Sequence, residues 1–308
     1  MKILITGSNG LLGQKIVYAL NEKSGMQIIA TSKGDNRIAL TQGYIYESLD
    51  ITDQSAVYTL IERYRPDCII HTAAMTNVDA CESDKENCKK INIDAVRYLA
   101  KAAEKINAHL IHLSTDFVFD GEKGPYKEDD LPNPLSYYAW SKLESEKIVQ
   151  QHKIKWTIIR TIIIYGVVDD VQRSNIVLWT KNSLEQHKQI NVISDQVRSP
   201  TLAEDLADAC ISAALKCATG IYHVSGKDTM SILEIAYEVA DFFKLDRSYI
   251  KPVSTAELNQ SALRPLKTGF IIDKAVRELK YHPHSLKEGL AIVAEQLMQK
   301  QRSSNFLN

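Results

Sequence analysis

The chain has 308 residues, of which 44% are hydrophobic and 24% are charged, and its formal net charge is −1. These values are typical of a soluble globular protein with one large domain or two modest ones. Because the net charge is so small and the Lys and Arg residues are scattered, we expect neither a nucleic-acid partner nor an anionic membrane partner.

The five cysteines are odd in number and include no Cys-x-x-Cys pair, so we expect reduced, mostly buried thiols. Cys81 and Cys88 are spaced too widely for a zinc site, and we expect no metal. No apolar run approaches the ~20 residues of a membrane span. Residues 1–7 already have the pattern of a buried strand and turn, which leaves no room for a cleavable leader. We therefore expect a cytoplasmic protein.

The first half of the chain alternates short apolar runs with longer amphipathic ones. Strands are predicted at 2–6, 27–31, 67–71, 109–114 and 156–161, with a further strand before Asp50. Helices are predicted at 11–24, 53–65, 84–106 and 134–151. Continuous Ile, Leu and Val strands separated by helices indicate a parallel sheet that is covered on both faces. The predicted fold is therefore α/β, a doubly wound parallel sheet of Rossmann type.

The regular alternation of predicted strands and helices ends after residue 165. Helices are predicted at 175–187, 202–216, 231–243, 273–280 and 285–301, strands at 190–193 and 220–224, and an irregular polar segment at 252–268. We expect residues 1–165 to form a dinucleotide-binding domain that is rejoined by about 202–225. Residues 166–308 would form mainly a smaller C-terminal α/β substrate-binding domain.

A glycine-rich turn follows the first strand, with the pattern Gly7-x-x-Gly10-x-x-Gly13. Gly7 permits a sharp turn, Gly10 lets backbone N–H groups approach a pyrophosphate, and Gly13 lets the helix pack closely on the strand. The N-terminus of the helix adds a partial positive charge. The position between a strand and a helix favours a dinucleotide site over a merely flexible turn.

The end of the second strand bears on the choice of cofactor. Ser32 and Lys33, with Arg37 nearby, suit the 2′-phosphate of NADPH. Asp35 lies slightly late for an NAD site but could accept from a ribose hydroxyl, so NADH remains an alternative. As a further alternative, these residues would be solvent-exposed loop charges that give no strict preference for NADPH or NADH.

Two further strand ends contribute to the predicted cofactor site. Asp50 follows the third strand and could accept from the adenine amino group, or it could cap the helix that begins near Asp53. Ala73 and Ala74 follow the fourth strand, where small side chains let a ribose lie against the backbone.

Tyr138 and Lys142 are four residues apart and therefore meet on one face of a helix. Thr115 ends the fifth strand at the same edge of the sheet, where its hydroxyl can bond a substrate carbonyl while Tyr138 donates a proton to it. Lys142 would hold the nicotinamide ribose and lower the pKa of Tyr138 from about 10 toward a working pH. With 14 Tyr in the chain, about one such pair is expected by chance. On their own, Tyr138 and Lys142 would be interpreted as two neighbours on a helix surface. Thr115 at the end of the fifth strand and the glycine turn favour a catalytic role instead.

Together, the glycine turn, Ser114-Thr115-Asp116 and Tyr138-x-x-x-Lys142 resemble the extended short-chain dehydrogenase/reductase family. Within that family, segments 71–79, 113–121, 195–201 and 264–266 resemble its reductases of 4-keto deoxysugar nucleotides. The resemblance implies an oxidoreductase that uses NADPH to reduce the 4-keto group of a nucleotide sugar. It also implies a homodimer formed through the helices at 84–106 and 134–151.

The resemblance assigns roles residue by residue. Tyr138 would be the proton donor, Lys142 its partner, and Thr115 the hydroxyl that orients the carbonyl. The implied cofactor contacts are Gly7, Gly10, Leu11, Leu12, Ser32, Lys33, Asp50, Ile51, Ala73, Ala74, Met75, Tyr138 and Lys142. The implied substrate contacts are Thr76, Thr115, Asp116 and Ile163.

Two residues depart from the pattern of such reductases. Phe117 stands where a Tyr is usual, and Ile163 stands where an aromatic residue commonly packs on the substrate. Two alternatives therefore remain. One is a sugar-nucleotide epimerase that retains NAD. The other is a non-catalytic regulatory subunit that keeps the cofactor fold, as in methionine adenosyltransferase.

Overall fold

The computed structural model describes residues 1–169, 175–258 and 260–305, with side chains described as far as residue 302. Its centre is a seven-stranded sheet. The strands in chain order are β1 (Lys2–Thr6), β2 (Gln27–Ser32), β3 (Ile45–Ser48), β4 (Cys68–His71), β5 (His109–Thr115), β6 (Trp156–Thr161), β7 (Ile164–Tyr165), β8 (Ile190–Ile193), β9 (Val197–Arg198), β10 (Thr201–Leu202), β11 (Gly220–Val224), β12 (Met230–Ser231) and β13 (Ile250–Val253).

The strand order of the central sheet is β11-β6-β5-β4-β1-β2-β3, and every neighbouring pair is parallel. The order reverses between β1 and β4, where Thr6 and His71 are partners in the register. This is the doubly wound α/β sheet that the sequence predicts. Such sheets bind ligands at the carboxyl ends of the strands beside the reversal.

Helices pack on both faces of the sheet, and further helices belong to the second half of the chain. The α-helices are α1 (Leu11–Asn21), α2 (Gln54–Tyr64), α3 (Val78–Ser83), α4 (Lys85–Lys89), α5 (Ala95–Ile106), α6 (Tyr137–Gln151), α7 (Ile176–Glu185), α8 (Ala203–Leu215), α9 (Ile232–Phe242) and α10 (Leu286–Asn305). Among the described residues, none of the helices has the length and apolar character needed to cross a membrane.

The two faces of the sheet have separate cores because successive side chains of a strand point to opposite faces. On β1, Ile3 and Ile5 pack with α1 and α8, whereas Leu4 packs with α2, α5 and α6. All three side chains are fully buried. A strand with both faces covered needs a continuous apolar run, which explains the Ile-Leu-Ile sequence.

The helix predicted at 84–106 is confirmed as an unbroken helical run, although it contains a π-helical turn that the sequence does not predict. The chain forms α4, the π-helical turn at Lys90–Asp94 and then α5, and the unpredicted α3 precedes them. Asp84 separates α3 from α4, since its carboxylate accepts from the backbone N–H of Asn87 and starts α4. In the π-helical turn, the Asn92 side chain bonds both backbone groups of Met75. These tertiary bonds have no periodic signal in the sequence.

The second half contains smaller sheets, which pair β10 with β7, β12 with β9, and β13 with β8. Their helices α7, α9 and α10 share a separate apolar core. The helix predicted at 273–280 is largely a π-helical turn, Ala275–Leu279, which ends where Lys280 adopts a φ of 59°. The segment predicted as irregular at 252–268 includes the end of β13 and a 3₁₀ turn, Ala256–Leu258.

Candidate active site

A cavity of about 650 Å³ opens at the carboxyl ends of β1, β2, β4 and β5. The structure brings most of the predicted site residues to its wall. They are Gly7, Gly10, Leu11, Leu12, Ser32, Lys33, Asp50, Ile51, Ala73, Ala74, Thr76, Thr115, Tyr138, Lys142 and Ile163. Met75 and Asp116 are not among the residues that line it.

The glycine turn forms one end of the cavity. Gly7 has a φ of +73°, and a Cβ on it would lie 2.7 Å from the backbone nitrogen of Ala73. A Cβ on Gly13 would lie 2.4 Å from the carbonyl oxygen of Gly7. Gly10 stands at the N-cap of α1, where it offers no capping side chain. The first N–H groups of α1 are thus available to an anion, which fits a pyrophosphate.

At the end of the cavity that is predicted to bind adenosine, two residues of opposite charge form an ion pair. The Lys33 ammonium lies 2.8 Å from the Asp50 carboxylate. That contact, with hydrogen bonds from Thr52, lowers the pKa of Asp50 to about 2. The cap of α2 is Asp53, whose side chain accepts from the backbone N–H of Ala56. Asp50 therefore does not cap α2, and its carboxylate instead lies at the wall of the cavity.

The predicted catalytic groups lie along one face of α6. Ser136 caps this helix by accepting from the backbone N–H of Ala139. Tyr138 and Lys142 are 9% and 3% exposed. The Thr115 hydroxyl lies beside the Tyr138 phenol and acts to lower its pKa. A phenol, an alcohol and an ammonium therefore converge on one part of the cavity.

The expectation that Lys142 lowers the pKa of Tyr138 is wrong for this arrangement. Burial raises the pKa of the Tyr138 phenol well above its usual value, and only the Thr115 hydroxyl opposes it substantially. The ammonium of Lys142 donates to the Leu113 carbonyl at 2.6 Å and lies 3.3 Å from Nε2 of His112. Burial also lowers the pKa of Lys142 to about 8. The phenol is thus held in its protonated, donating form.

A buried ion pair holds α6 against the sheet. Glu146 follows Lys142 by one turn and lies 2.7 Å from the Arg160 guanidinium of β6. Ser114 of β5 donates to the same carboxylate at 2.5 Å. These bonds join α6 to two strands directly behind Tyr138 and Thr115.

The histidines of the strands are core residues. His71 and His112 stack with ring centroids 5.4 Å apart. His71 bonds the Thr6 hydroxyl at 2.7 Å, and burial lowers its pKa to about 3. His109 bonds the Thr157 hydroxyl at 2.8 Å.

Asp116 connects the catalytic strand to the second half of the chain. It is 2% exposed and accepts from the hydroxyls of Thr115 and Thr268. The Arg198 guanidinium lies 3.7 Å from it and also stacks over the Phe117 ring, 5.4 Å from the centroid. With these partners, Asp116 acts on the cavity through Thr115 rather than from its wall.

Several polar residues of the wall were not predicted. They are Asn9, Thr52, Thr72, Asn87, Thr161 and Asn175. Asn9 had a signal, because it lies inside the glycine turn, between Gly7 and Gly10. The others come from the end of β6, from loops and from helices that reach the cavity only through the tertiary fold.

Comparisons with known proteins agree with this geometry. The family model described as RmlD substrate binding domain matches residues 1–299. The methionine adenosyltransferase 2 subunit beta of Bos taurus is 31% identical over 91% of each chain. A dTDP-4-dehydrorhamnose reductase from Clostridium acetobutylicum superposes with a TM-score of 0.85 at 32% identity, covering 97% of this chain and all of the other. The reductase from Bacillus anthracis, in complex with NADP, gives 0.81 at 28% identity over 96% and 99%.

Proposed function

The chain belongs to the RmlD substrate binding domain family, and we propose that it is an NADPH-dependent reductase of the 4-keto group of a deoxysugar nucleotide. The activity is the one named for its relatives from Clostridium acetobutylicum and Bacillus anthracis. The observation that carries the proposal is the convergence of Thr115, Tyr138 and Lys142 on the cavity that the glycine turn opens.

The residues divide the chemistry between them. When bound, the nicotinamide would supply the hydride that is added to C4 of the sugar. Thr115 orients the carbonyl oxygen, and Tyr138 gives it a proton as the negative charge develops. Lys142, whose ammonium is held by the Leu113 carbonyl, would bind the ribose of the nicotinamide. Because its pKa is raised by burial, Tyr138 enters the reaction protonated, as a reduction requires.

The cofactor proposal rests on both ends of the cavity. The uncapped start of α1 suits the pyrophosphate, and Ser32, Lys33 and Arg37 suit a 2′-phosphate. The relative from Bacillus anthracis holds NADP. NADH is the weaker candidate, because Lys33 and Arg37 place cations at the wall.

The domain division is part of the same proposal. Residues 1–165 would bind the cofactor, and 166–308 would form mainly the substrate domain. β11 supports the rejoining of the first domain, since it pairs with β6 in the central sheet. With this division, a nucleotide sugar would bind between the two domains.

The cellular setting and assembly are also proposed. A cytoplasmic protein fits five cysteines that are all free thiols. We propose a homodimer through α5 and α6, which sedimentation would test, since a monomer at working concentration contradicts it. The net charge of −1 gives no support for a nucleic-acid partner.

The test is turnover of a panel of 4-keto sugar nucleotides, with NADPH and NADH in parallel. We expect loss of NADPH absorbance with dTDP-4-dehydrorhamnose and slower loss with NADH. An epimerase would change the sugar with no net loss of either cofactor. Absence of turnover across the panel would contradict a reductase.

A second candidate is a regulatory subunit, and one observation favours it. The relative named methionine adenosyltransferase 2 subunit beta aligns over 91% of both chains. This candidate predicts cofactor binding without turnover, and capture of a methionine adenosyltransferase by the immobilised protein. A catalytically active protein that captures none would contradict it.

A further inference from the structure

We propose that Asn9 is a positioning residue that makes the cavity select a 2′-phosphorylated dinucleotide, because its side chain fixes the loop at 33–37 onto the glycine turn. The inference rests on the proposed function in one respect, namely that the cavity binds a nicotinamide dinucleotide. It does not depend on which sugar is reduced.

Asn9 is bonded to the loop at two points. It lies inside the glycine turn and is 3% exposed. Its Oδ1 accepts from the backbone N–H of Arg37 at 2.9 Å, and its Nδ2 donates to the carbonyl of Asp35 at 2.8 Å. A carboxamide carries its acceptor and its donors on separate atoms, so it can bond a backbone N–H and a carbonyl at the same time. Asn9 therefore suits this pair of bonds.

Tyr46 holds the same loop from the neighbouring strand β3. Its hydroxyl donates to the carbonyl of Gly34 at 2.7 Å and lies 3.2 Å from the carbonyl of Ser32. Asn9 in turn donates to the Tyr46 hydroxyl at 3.4 Å. Asn9 and Tyr46 thus form one network that bonds two carbonyls and one N–H of the loop, together with the carbonyl of Ser32 at the end of β2.

The held conformation decides which side chains face the cavity. Ser32, Lys33 and Arg37 line the wall, whereas Asp35 is exposed and does not line it. A hydroxyl and two cations attract a 2′-phosphate, while an acid would repel it and would accept from an unmodified 2′-hydroxyl. By bonding the backbone at Asp35 and Arg37, Asn9 keeps the cation at the wall and the acid away from it.

The same loop supplies a matched control. Asn36 is exposed, and its Nδ2 donates to the Tyr44 hydroxyl at 2.7 Å. Its Oδ1 accepts from the backbone N–H of Ile38 at 3.2 Å. Asn36 therefore makes the same kinds of bond as Asn9 without contacting the glycine turn.

The experiment measures binding rather than turnover. Dissociation constants of the full-length protein for NADPH and NADH are determined for wild type, Asn9→Ala, Tyr46→Phe and Asn36→Ala, after thermal melting has shown that each variant is folded. We expect Asn9→Ala to weaken NADPH binding about tenfold, because two hydrogen bonds are lost, and NADH binding less than about threefold. Tyr46→Phe should reduce the preference for NADPH in the same direction, and Asn36→Ala should leave it unchanged.

The outcomes separate the inference from the proposed function. Equal weakening of NADPH and NADH by Asn9→Ala would assign Asn9 to the pyrophosphate end and overturn the inference. An unchanged preference in both Asn9→Ala and Tyr46→Phe would also overturn it, as would a wild-type protein that prefers NADH. If Asn9→Ala does not fold, Tyr46→Phe decides the question. A wild-type protein that binds neither cofactor would contradict the proposed function itself.

Discussion

At the scale of single residues, burial rather than pairing determines the chemistry of the site. Tyr138 and Lys142 both lie almost entirely out of water, and burial disfavours the charged form of each. The phenol therefore keeps its proton, while the ammonium loses its own more easily than a surface lysine would. The phenol thus keeps the proton that it must donate to a carbonyl, whereas the ammonium is charged only below a pH of about 8.

Replacing Tyr138 by Phe removes the proposed proton donor and keeps the ring. We expect kcat to fall by about 10²–10⁴, since this is the usual contribution of a positioned acid, with little change in NADPH affinity. Steady-state kinetics and cofactor titration measure both. Tyr137→Phe is the matched control, because Tyr137 packs on Trp140 and does not line the cavity. Near-normal kcat in Tyr138→Phe would contradict the assignment.

Lys142 should give the reaction an alkaline limit. Its pKa is lowered to about 8, so the ammonium is present below that pH and is lost above it. We expect kcat/KM to fall as the pH rises through about 8. In Lys142→Arg the side chain stays charged, so this fall should disappear even if the rate is lower. The same alkaline limit in both proteins would show that another group causes it.

At the scale of elements, α6 is the part that must be placed most accurately, and buried charges place it. Glu146 and Arg160 are 1% and 2% exposed, and they join α6, which carries Tyr138 and Lys142, to β6. A buried charge that loses its partner is costly, whereas replacing both partners by apolar groups often is not. The pair can therefore be tested by a double substitution.

Glu146→Met should lower the free energy of unfolding by about 3–5 kcal/mol, because the Arg160 charge stays buried without its partner. Glu146→Met combined with Arg160→Met should recover much of that loss. Denaturant unfolding measures both values. If the double variant is no more stable than Glu146→Met alone, the ion pair is not the reason for the loss.

The elements also show which parts of the fold are readable in the sequence. The apolar runs of β1 and β5 specify buried parallel strands, so the sheet and its ligand-binding edge could be predicted from local patterns. The π-helical turn between α4 and α5 could not, because Asn92 bonds backbone groups of Met75 that are distant in sequence. The protonation of Tyr138 was missed for a similar reason, since spacing on a helix does not reveal how deeply a residue is buried.

At the scale of the whole molecule, the two halves of the chain are joined next to the proposed catalytic residues. Asp116 bonds Thr268 and faces Arg198, and Asp79 of α3 lies 2.5 Å from the Arg264 guanidinium. Segments close to Tyr138 and Thr115 thus depend on residues far along the chain. Binding of a cofactor to this region should stabilise the protein as a unit.

NADPH should raise the melting temperature measurably. At a concentration about 100 times Kd, binding to the native state alone adds about 2.7 kcal/mol. Thermal unfolding with and without NADPH measures the shift. Gly13→Val is the contrasting variant, because its side chain would clash with the Gly7 carbonyl and should abolish the shift. A folded Gly13→Val protein that is stabilised as much as wild type would contradict the pyrophosphate site.

We propose that a nicotinamide bound in this cavity gives hydride to a 4-keto sugar nucleotide while Tyr138 supplies the proton. The most direct measurement is a reaction of dTDP-4-dehydrorhamnose with NADPH that carries deuterium at the transferred position of the nicotinamide, followed by mass and NMR analysis of the sugar. We expect one deuterium at C4 in the wild-type product and almost no product with Tyr138→Phe. A sugar recovered unreduced, or reduced without deuterium at C4, would contradict it.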